Sequence, residues 1–531
     1  MLSLGSSDFG AIRERGAVYV DKTDYVFELS RPYTSYFLSR PRRFGKSLLV
    51  STFENYFRGR RGLFEGLKIF PLEEATASPW EVYPVFKFSF AGGYSCQGLR
   101  EVEMAIAETL EEIEEEYGLE PGAAKASLPI RLSKDIGLAW RKTGRRVVVL
   151  VDEYDNPLEK AQTAEENDKI RSMFKSLWGV LKDRQDKLRF VFFTGVTKYQ
   201  KVSIFSELNN LIELSMDGRY AAICGLVRRE IEDNYGLHVD ALARRNGMSR
   251  GECLAEMERR YDGYHFAWPS AGVYNPYSVL NALDKGEFGN YWFRSGMPGL
   301  LPKRIVEEGF DLSALIGGRV AENADRLSDL TPGNMALVPL LFQTGYLTLK
   351  GPMDDFRYFP LGFPNEEVRV AFTEQLVPLV LPAVGAGARG LTFRDIADDL
   401  NRGDVASCLD RLTAIFASLP YERGNAKGDP VEVNFQNVIY VVFTMLGIAM
   451  RTEVAGAGGV CDAVVETAAH AYVFEFKRDK PAGEALAQIR AKGYADRFAA
   501  TTKRLHLVGV SFSTSRRQIG EWREEMVAAP R

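Results

Sequence analysis

The stretch Arg40-Pro41-Arg42-Arg43-Phe44-Gly45-Lys46-Ser47 lies directly after the apolar run Tyr36 to Leu38 and directly before a helical pattern, Leu48 to Phe57. A loop leading from a strand into a helix N-terminus offers free backbone N–H groups and the positive end of the helix dipole to an anion. In such a loop Lys46 reaches the β and γ phosphates of ATP and Ser47 ligates Mg²⁺, while the backbone of Arg40 to Gly45 cradles the phosphates. The usual phosphate loop starts with glycine, and here Arg40 holds that place. Asp152-Glu153 follow a second apolar run, Val147 to Val151, which reads as a central parallel strand. Acids at the carboxyl end of such a strand sit where α/β sheets bind ligands. Asp152 is expected to hold Mg²⁺, directly or through water, and Glu153 to polarise the attacking water. A third run, Leu188 to Phe193, ends in Thr194, which places a hydroxyl where the γ-phosphate would be sensed.

A separate constellation lies near the other end. Asp462-Ala-Val-Val and Tyr472-Val-Phe-Glu475-Phe-Lys477 read as the two strands of a hairpin with a turn about Thr467 to His470. Residues two apart share a strand face, so Glu475 and Lys477 project together and Asp462 on the neighbouring strand reaches them. Two carboxylates suit Mg²⁺ or Mn²⁺, and a divalent ion there supports phosphodiester hydrolysis, with Lys477 orienting water or shielding charge. The competing reading is a salt-linked strand pair with no chemistry. Basic residues from Lys480 to Arg517, among them Arg490, Lys492 and Arg504, make this end locally positive, as a phosphate backbone requires.

Elements able to position these groups follow from apolar periodicity. Short apolar runs alternate with amphipathic segments from Tyr36 to about Met216, as strands crossing over through helices into a parallel sheet do. Val102, Ile106, Leu110, Ile113 and Tyr117 recur at helical spacing among glutamates, so one face of that segment should lie on the sheet. From about Glu230 to Phe416 the pattern is mainly helical and aromatic-rich. Arg423 to Asp429 reads as a linker, and an α-then-β pattern follows to Trp522, including a helix from Ala482 to Phe498. At 531 residues the chain exceeds the roughly 250 to 300 at which single cores stop growing. The expected division is 1–230, 231–420 and 421–531.

Bulk composition narrows the classes. With 67 basic and 71 acidic residues the formal net charge is -4, so any nucleic-acid surface is a patch. The five cysteines are scattered without a CxxC pair, which excludes a disulfide framework or a zinc site as the organising feature. The four histidines lie far apart in sequence, and none is assigned a catalytic role. No run approaches the roughly 18 apolar residues of a membrane span. A cytoplasmic protein with no membrane partner is expected, and a homo-oligomer is compatible with the sequence.

Several motifs in order resemble one family. Tyr19-Val-Asp-Lys-Thr, Phe37 to Leu49 around the loop, Val151-Asp-Glu-Tyr-Asp155, Thr194-Gly-Val-Thr-Lys198, Lys201-Val-Ser-Ile-Phe-Ser206 and Tyr261-Asp-Gly-Tyr264 are similar to the bacterial AAA-ATPase-like family with a C-terminal PD-(D/E)XK nuclease-superfamily domain. That family also carries Arg-Pro-Arg-Arg-Phe-Gly-Lys, which makes Arg40 a family trait. The resemblance implies an α/β fold: a P-loop ATPase parallel sheet, a helical lid or winged-helix-like middle region that includes Tyr261 to Phe266 and Tyr274-Asn275-Pro276, and an α/β nuclease-like domain. Glu432 is implied as a further acid. Two departures are visible: Gly459-Val460-Cys461-Asp462 lacks the usual arginine, and Gln488 and Tyr494 lie six apart, where related nucleases have four, so both are expected to pack. Three classes follow: an ATP-dependent enzyme acting on nucleic acid, with DNA the expected partner; an ATP-operated switch or DNA- or partner-binding protein that does not cut; and a metal nuclease that binds nucleotide without turnover.

Overall fold

The computed structural model describes the chain apart from residues 1, 33, 93–97, 121–125, 199–210, 293–300, 302–303, 306–307, 309, 311–319, 329–335, 381–385, 418–437, 440, 446–450, 454–461, 499–501, 514, 517 and 528–531. The Lys201 to Ser206 motif, the linker at Arg423 to Asp429, Glu432 and the Gly459 to Cys461 departure fall outside the described residues. The chain divides into two compact units: residues 1–292 with 322–360 and 364–366, and residues 293–321 with 361–363 and 367–531. Among the described residues no helix is long and apolar enough to cross a membrane.

The first unit is built on a five-stranded parallel sheet. Its strands are β1 (Ser35–Ser39), β2 (Val85–Ser89), β3 (Val147–Asp152), β4 (Leu188–Gly195) and β5 (Leu211–Glu213), in spatial order β2-β3-β4-β1-β5. The four runs read from sequence are the first four strands. β3 and β4 are buried at every position, which is why they read as unbroken apolar runs. Helix α1 (Lys46–Phe57) follows β1, and its Phe53 and Phe57 pack on Phe190 of β4. On α2 (Leu99–Tyr117), Val102, Ile106, Leu110 and Ile113 are buried in one core with β2, β3, α3 (Leu128–Thr143) and a later helix. Helices α4 (Asn156–Lys160) and α5 (Ala164–Asp183) follow β3. Beyond β5, α6 (Arg228–Arg245), α7 (Arg250–Tyr261) and α8 (Pro276–Lys285) share a separate core of Ile231, Val239, Met257, Tyr261 and Val279.

One buried carboxyl in this unit makes stability depend on pH. Arg131 on α3 clasps Glu114 on α2 through Nε and Nη2, each at 2.7 Å. One turn further on, Asp135 is fully buried with neither oxygen hydrogen-bonded among the described residues. Burial, with the Glu114 charge beside it, pushes this carboxyl up to about 7. The native state therefore holds a proton that the unfolded chain releases near pH 4, and stability falls as pH rises through that window. Asp135→Asn is expected to raise the first melting transition by several degrees at about pH 8, with the gain closing toward about pH 4. Thermal melts of both proteins across pH check this, and parallel curves would reject it.

In the second unit, α9 (Ala386–Arg402) and α10 (Val405–Ala417) precede a five-stranded mixed sheet. The strands β6 (Arg451–Glu453), β7 (Ala463–Glu466), β8 (His470–Arg478), β9 (Arg504–Ser513) and β10 (Gln518–Val527) lie in spatial order β10-β9-β8-β7-β6. β8 and β9 are parallel, and the other neighbours are antiparallel. Helix α11 (Ala482–Ala491) makes the crossover between β8 and β9 and buries Leu486 and Ile489 against them. The helix expected from Ala482 to Phe498 stops at Ala491, because Gly493 adopts a left-handed conformation (φ 63°) and turns the chain.

Candidate functional sites

The loop from Arg40 to Gly45 joins β1 to α1 at the carboxyl edge of the parallel sheet. Gly45 has φ 96°, open to glycine and closed to most side chains, which lets the backbone turn into the helix. Lys46 is buried, and its ammonium donates to the carbonyls of Arg40 at 2.9 Å and Pro41 at 3.1 Å, closing the loop on itself. The arginine in the usual glycine position does not fill the loop. Its guanidinium turns into the protein, donates to the carbonyls of Ser39, Ser215 and Tyr220 at 2.8 to 3.0 Å, and lies over the Phe266 ring. Burial lowers it to about 10. Arg40 thus contributes backbone to the cradle, and its side chain ties the loop to the segments that follow β5. Phe44 is buried edge-on to Tyr264 and Phe266, so the Tyr-Asp-Gly-Tyr motif supports the loop from behind. Arg43 stacks on Tyr277 of α8 at 3.8 Å, and Arg42 pairs with Glu159 of α4 at 2.7 Å.

The acids stand where the sequence places them. Asp152 closes β3, level with Ser89 of β2, and Thr194 lies on β4 level with Leu38 of β1. β4 separates the loop strand from β3, so Thr194 falls between the loop and Asp152 in the sheet order. The Ser47 hydroxyl hydrogen-bonds to the Asp152 carboxylate; burial raises its pKa and the Glu153 charge adds to this, while Ser47, Lys46 and Lys87 pull the other way. Asp152 Oδ1 and Thr194 Oγ1 are both buried without a hydrogen-bond partner among the described residues. Glu153 has φ 52°, a left-handed conformation that a non-glycine residue adopts at a cost, of order 1–3 kcal/mol. Hydroxyl, carboxylate and free oxygens form a donor set that fits a hard divalent cation held by Ser47 and Asp152.

Two acids received no role in the sequence reading: Asp155, present there only as the last residue of the Val151 to Asp155 motif, and Glu159. Asp155 is buried and accepts from the backbone N–H groups of Val196 and Thr197 and from the Thr197 hydroxyl at 2.6 to 2.9 Å, fixing the turn just past Thr194. A Cβ on Gly195 would collide with it, which accounts for glycine there. Burial raises Asp155, and burial with the Asp155 charge pushes Glu159 up to about 7. Their spacing, four residues from one another just past Asp152-Glu153, was the available signal. Beside the loop lies a cavity of about 90 Å³ whose lining includes Gly45, Leu48, Tyr19, Val20, Ile223 and Leu226. The Tyr19 to Thr23 motif forms one wall, and Asp21 and Lys22 anchor it through Thr23 and Glu230.

In the second unit the register Ala463↔Phe474 sets Asp462 opposite Glu475. Asp462 Oδ2 accepts from the Phe476 N–H at 2.7 Å. Glu475 is buried; its Oε1 accepts from Lys477 Nζ at 3.0 Å and Gln488 Nε2 at 2.5 Å, while Oε2 has no partner among the described residues. Lys477 also donates to Gln488 Oε1 at 2.6 Å. Gln488, expected to pack, therefore joins the polar triangle from α11, while Tyr494 past the end of that helix does pack in the core. Burial and then the Asp462 charge push Glu475 up to about 7, with Lys477 pulling the other way. Among the described residues no group of three or more His, Cys, Asp and Glu side chains could hold a metal, so the candidate ligands are this pair of acids.

A phosphate loop facing strand-end acids on a parallel sheet, and two acids with a lysine and a glutamine on a mixed sheet, define a P-loop ATPase-like domain and a nuclease-like domain on one chain. Residues 3–205 match the family described as Predicted AAA-ATPase, and residues 431–522 match the PD-(D/E)XK nuclease superfamily. The chain is 35% identical over 530 residues to "Uncharacterized protein in vnfD 5'region" of Azotobacter chroococcum mcd 1, covering 98% of this chain and 97% of that one. No solved structure matches it. The chain belongs to the predicted AAA-ATPase family, with a PD-(D/E)XK nuclease-superfamily domain at its C-terminus.

Proposed function

We propose that the protein binds and hydrolyses ATP and acts on nucleic acid, DNA foremost, through metal-dependent phosphodiester cleavage in its C-terminal domain. The reading assigns 1–230 to the ATPase, 231–420 to a helical lid and winged-helix-like middle region, and 421–531 to the nuclease-like domain. What supports it above all is that both candidate sites hold a buried carboxylate oxygen without a partner, Asp152 Oδ1 and Glu475 Oε2. Such an oxygen costs free energy unless a cation or donor satisfies it. Lys46 and the loop N–H groups bind the phosphates, Glu153 orients and deprotonates water, and Thr194 contacts the γ-phosphate. The cavity walled by Tyr19, Val20 and Leu226 receives the purine ring. At the second site Asp462 and Glu475 hold the ion and Lys477 with Gln488 orients the carboxylate. Mg²⁺ or Mn²⁺, when bound, supplies positive charge against the phosphate oxygens at either site.

The test uses the full chain with ATP and Mg²⁺ or Mn²⁺ on plasmid, linear and single-stranded DNA, following phosphate release and cleavage together. Both are expected, and both should stop on chelation. Phosphate release without cleavage of any substrate would turn the reading toward an ATP-operated switch. Cleavage that is identical with no nucleotide, ADP and a non-hydrolysable analogue would mean two independent activities.

A further inference from the structure

The three loop arginines are held in three different ways. Arg40 is spent on three backbone carbonyls and an aromatic ring. Arg43 stacks on Tyr277, on the α8 side of the loop. Arg42 alone of the three is paired with a carboxylate, Glu159, and its side chain is 41% exposed against 18% for the acid. Glu159 lies on the short helix that starts just after Asp152-Glu153, so Arg42 leans toward the side of the loop where the catalytic acids stand. The Trp292 indole donates to the Arg42 carbonyl at 3.0 Å, which steadies the backbone while leaving the guanidinium to its ionic partner.

We propose that Arg42 is the residue by which this site distinguishes ATP from ADP, its guanidinium exchanging between Glu159 and the terminal phosphate of bound ATP. The proposal rests on the phosphate-loop reading above. A guanidinium forms paired, charge-assisted hydrogen bonds equally well with carboxylate and phosphate, so the exchange replaces one strong partner with another of higher charge. The groups facing Glu159 are Arg42 from the loop, Lys46 from α1 and Asp155 at the N-cap of its own helix. Burial and Asp155 disfavour its ionised form, and Arg42 is the first of the opposing charges. Withdrawing the arginine therefore leaves a buried acid that takes up a proton. Asp155 fixes the turn beyond Thr194, so the release of Glu159 is felt at the strand end that contacts the γ-phosphate.

Calorimetric titration of the full chain with Mg-ATP and with Mg-ADP, each in two buffers of different ionisation enthalpy, tests this. Wild type is expected to take up protons with ATP and not with ADP. Arg42→Ala should lose about tenfold or more of its preference for ATP over ADP, and Glu159→Gln should bind ATP at least as tightly as wild type without proton uptake. The double variant Arg42→Ala/Glu159→Gln removes both charges, so a fault in folding from an unpaired buried acid is separated from a fault in binding. An unchanged ATP-to-ADP preference in Arg42→Ala and in the double variant would overturn the exchange while leaving the phosphate loop intact. A wild type that binds neither nucleotide, or a Lys46→Ala that binds both as wild type does, overturns the underlying reading and this proposal with it.

Discussion

Lys46→Ala is expected to lose measurable Mg-ATP binding, while Glu153→Gln keeps wild-type affinity and loses turnover by a factor of roughly 10² to 10⁴. The lysine is buried and its ammonium spans the loop between the Arg40 and Pro41 carbonyls, so its loss removes both the charge beneath the phosphates and the tie that closes the loop. Arg40 cannot replace it, because its guanidinium is committed to three carbonyls on the far side. Glu153 sits in a left-handed conformation just past β3. Glutamine keeps that shape and removes the base. Titration calorimetry and phosphate release measured on the same preparations separate the two effects. Equal affinity in Lys46→Ala and wild type would sink the phosphate-loop assignment; normal turnover in Glu153→Gln would move the base to another acid, with Asp155 excluded by its three hydrogen bonds to the turn.

What could be read in advance followed from how local the governing physics is. The strands β1 to β4 were legible because a parallel strand buried on both faces needs a continuous apolar run, and Val147 to Val151 can be little else. β5 was missed: it spans three residues at the sheet edge with a half-exposed pattern, too short to carry a period. Loop and strand-end acids were legible because they are contiguous with those runs. The direction of the Arg40 side chain was not legible, because spacing says nothing of where a long side chain points; it is set by Ser215 and Tyr220, carbonyls some 175 residues away in the chain. Asp155 and Glu159 acquire their meaning from the Thr197 turn and the loop, again tertiary facts.

The C-terminal site divides the same way. The shared face of Glu475 and Lys477 follows from the period of two in β-strands, and the register Ala463↔Phe474 sets Asp462 opposite Glu475. Gln488 was set aside on helix-face grounds by treating Ala482 to Phe498 as one helix, whereas the chain turns at Gly493 and Tyr494 never belonged to that face. His470 and His506, far apart in sequence, come within 2.8 Å because β8 and β9 are parallel, a contact that no spacing rule discloses.

At the nuclease-like site, Asp462→Ala and Glu475→Ala are each expected to abolish DNA cleavage and to leave ATP hydrolysis intact, since the changed residues lie in a different compact unit from the phosphate loop. Cleavage by wild type should rise with pH through about 7, because Glu475 must be ionised to hold a cation and its burial beside Asp462 opposes that ionisation. Lys477 works against this rise in pKa, so Lys477→Ala should cut slowly and shift the acid limb of its pH profile upward, whereas loss of a merely structural salt link would lower the rate equally at every pH. Gln488→Ala removes one of the two donors to Glu475 Oε1 and should move the limb in the same direction. Cation binding can be followed without any cleavage, as a rise in the melting temperature with Mn²⁺ that Glu475→Ala lacks. Cleavage by Asp462→Ala/Glu475→Ala at the wild-type rate, in a preparation freed of other nucleases, would reduce these residues to a salt-linked strand pair.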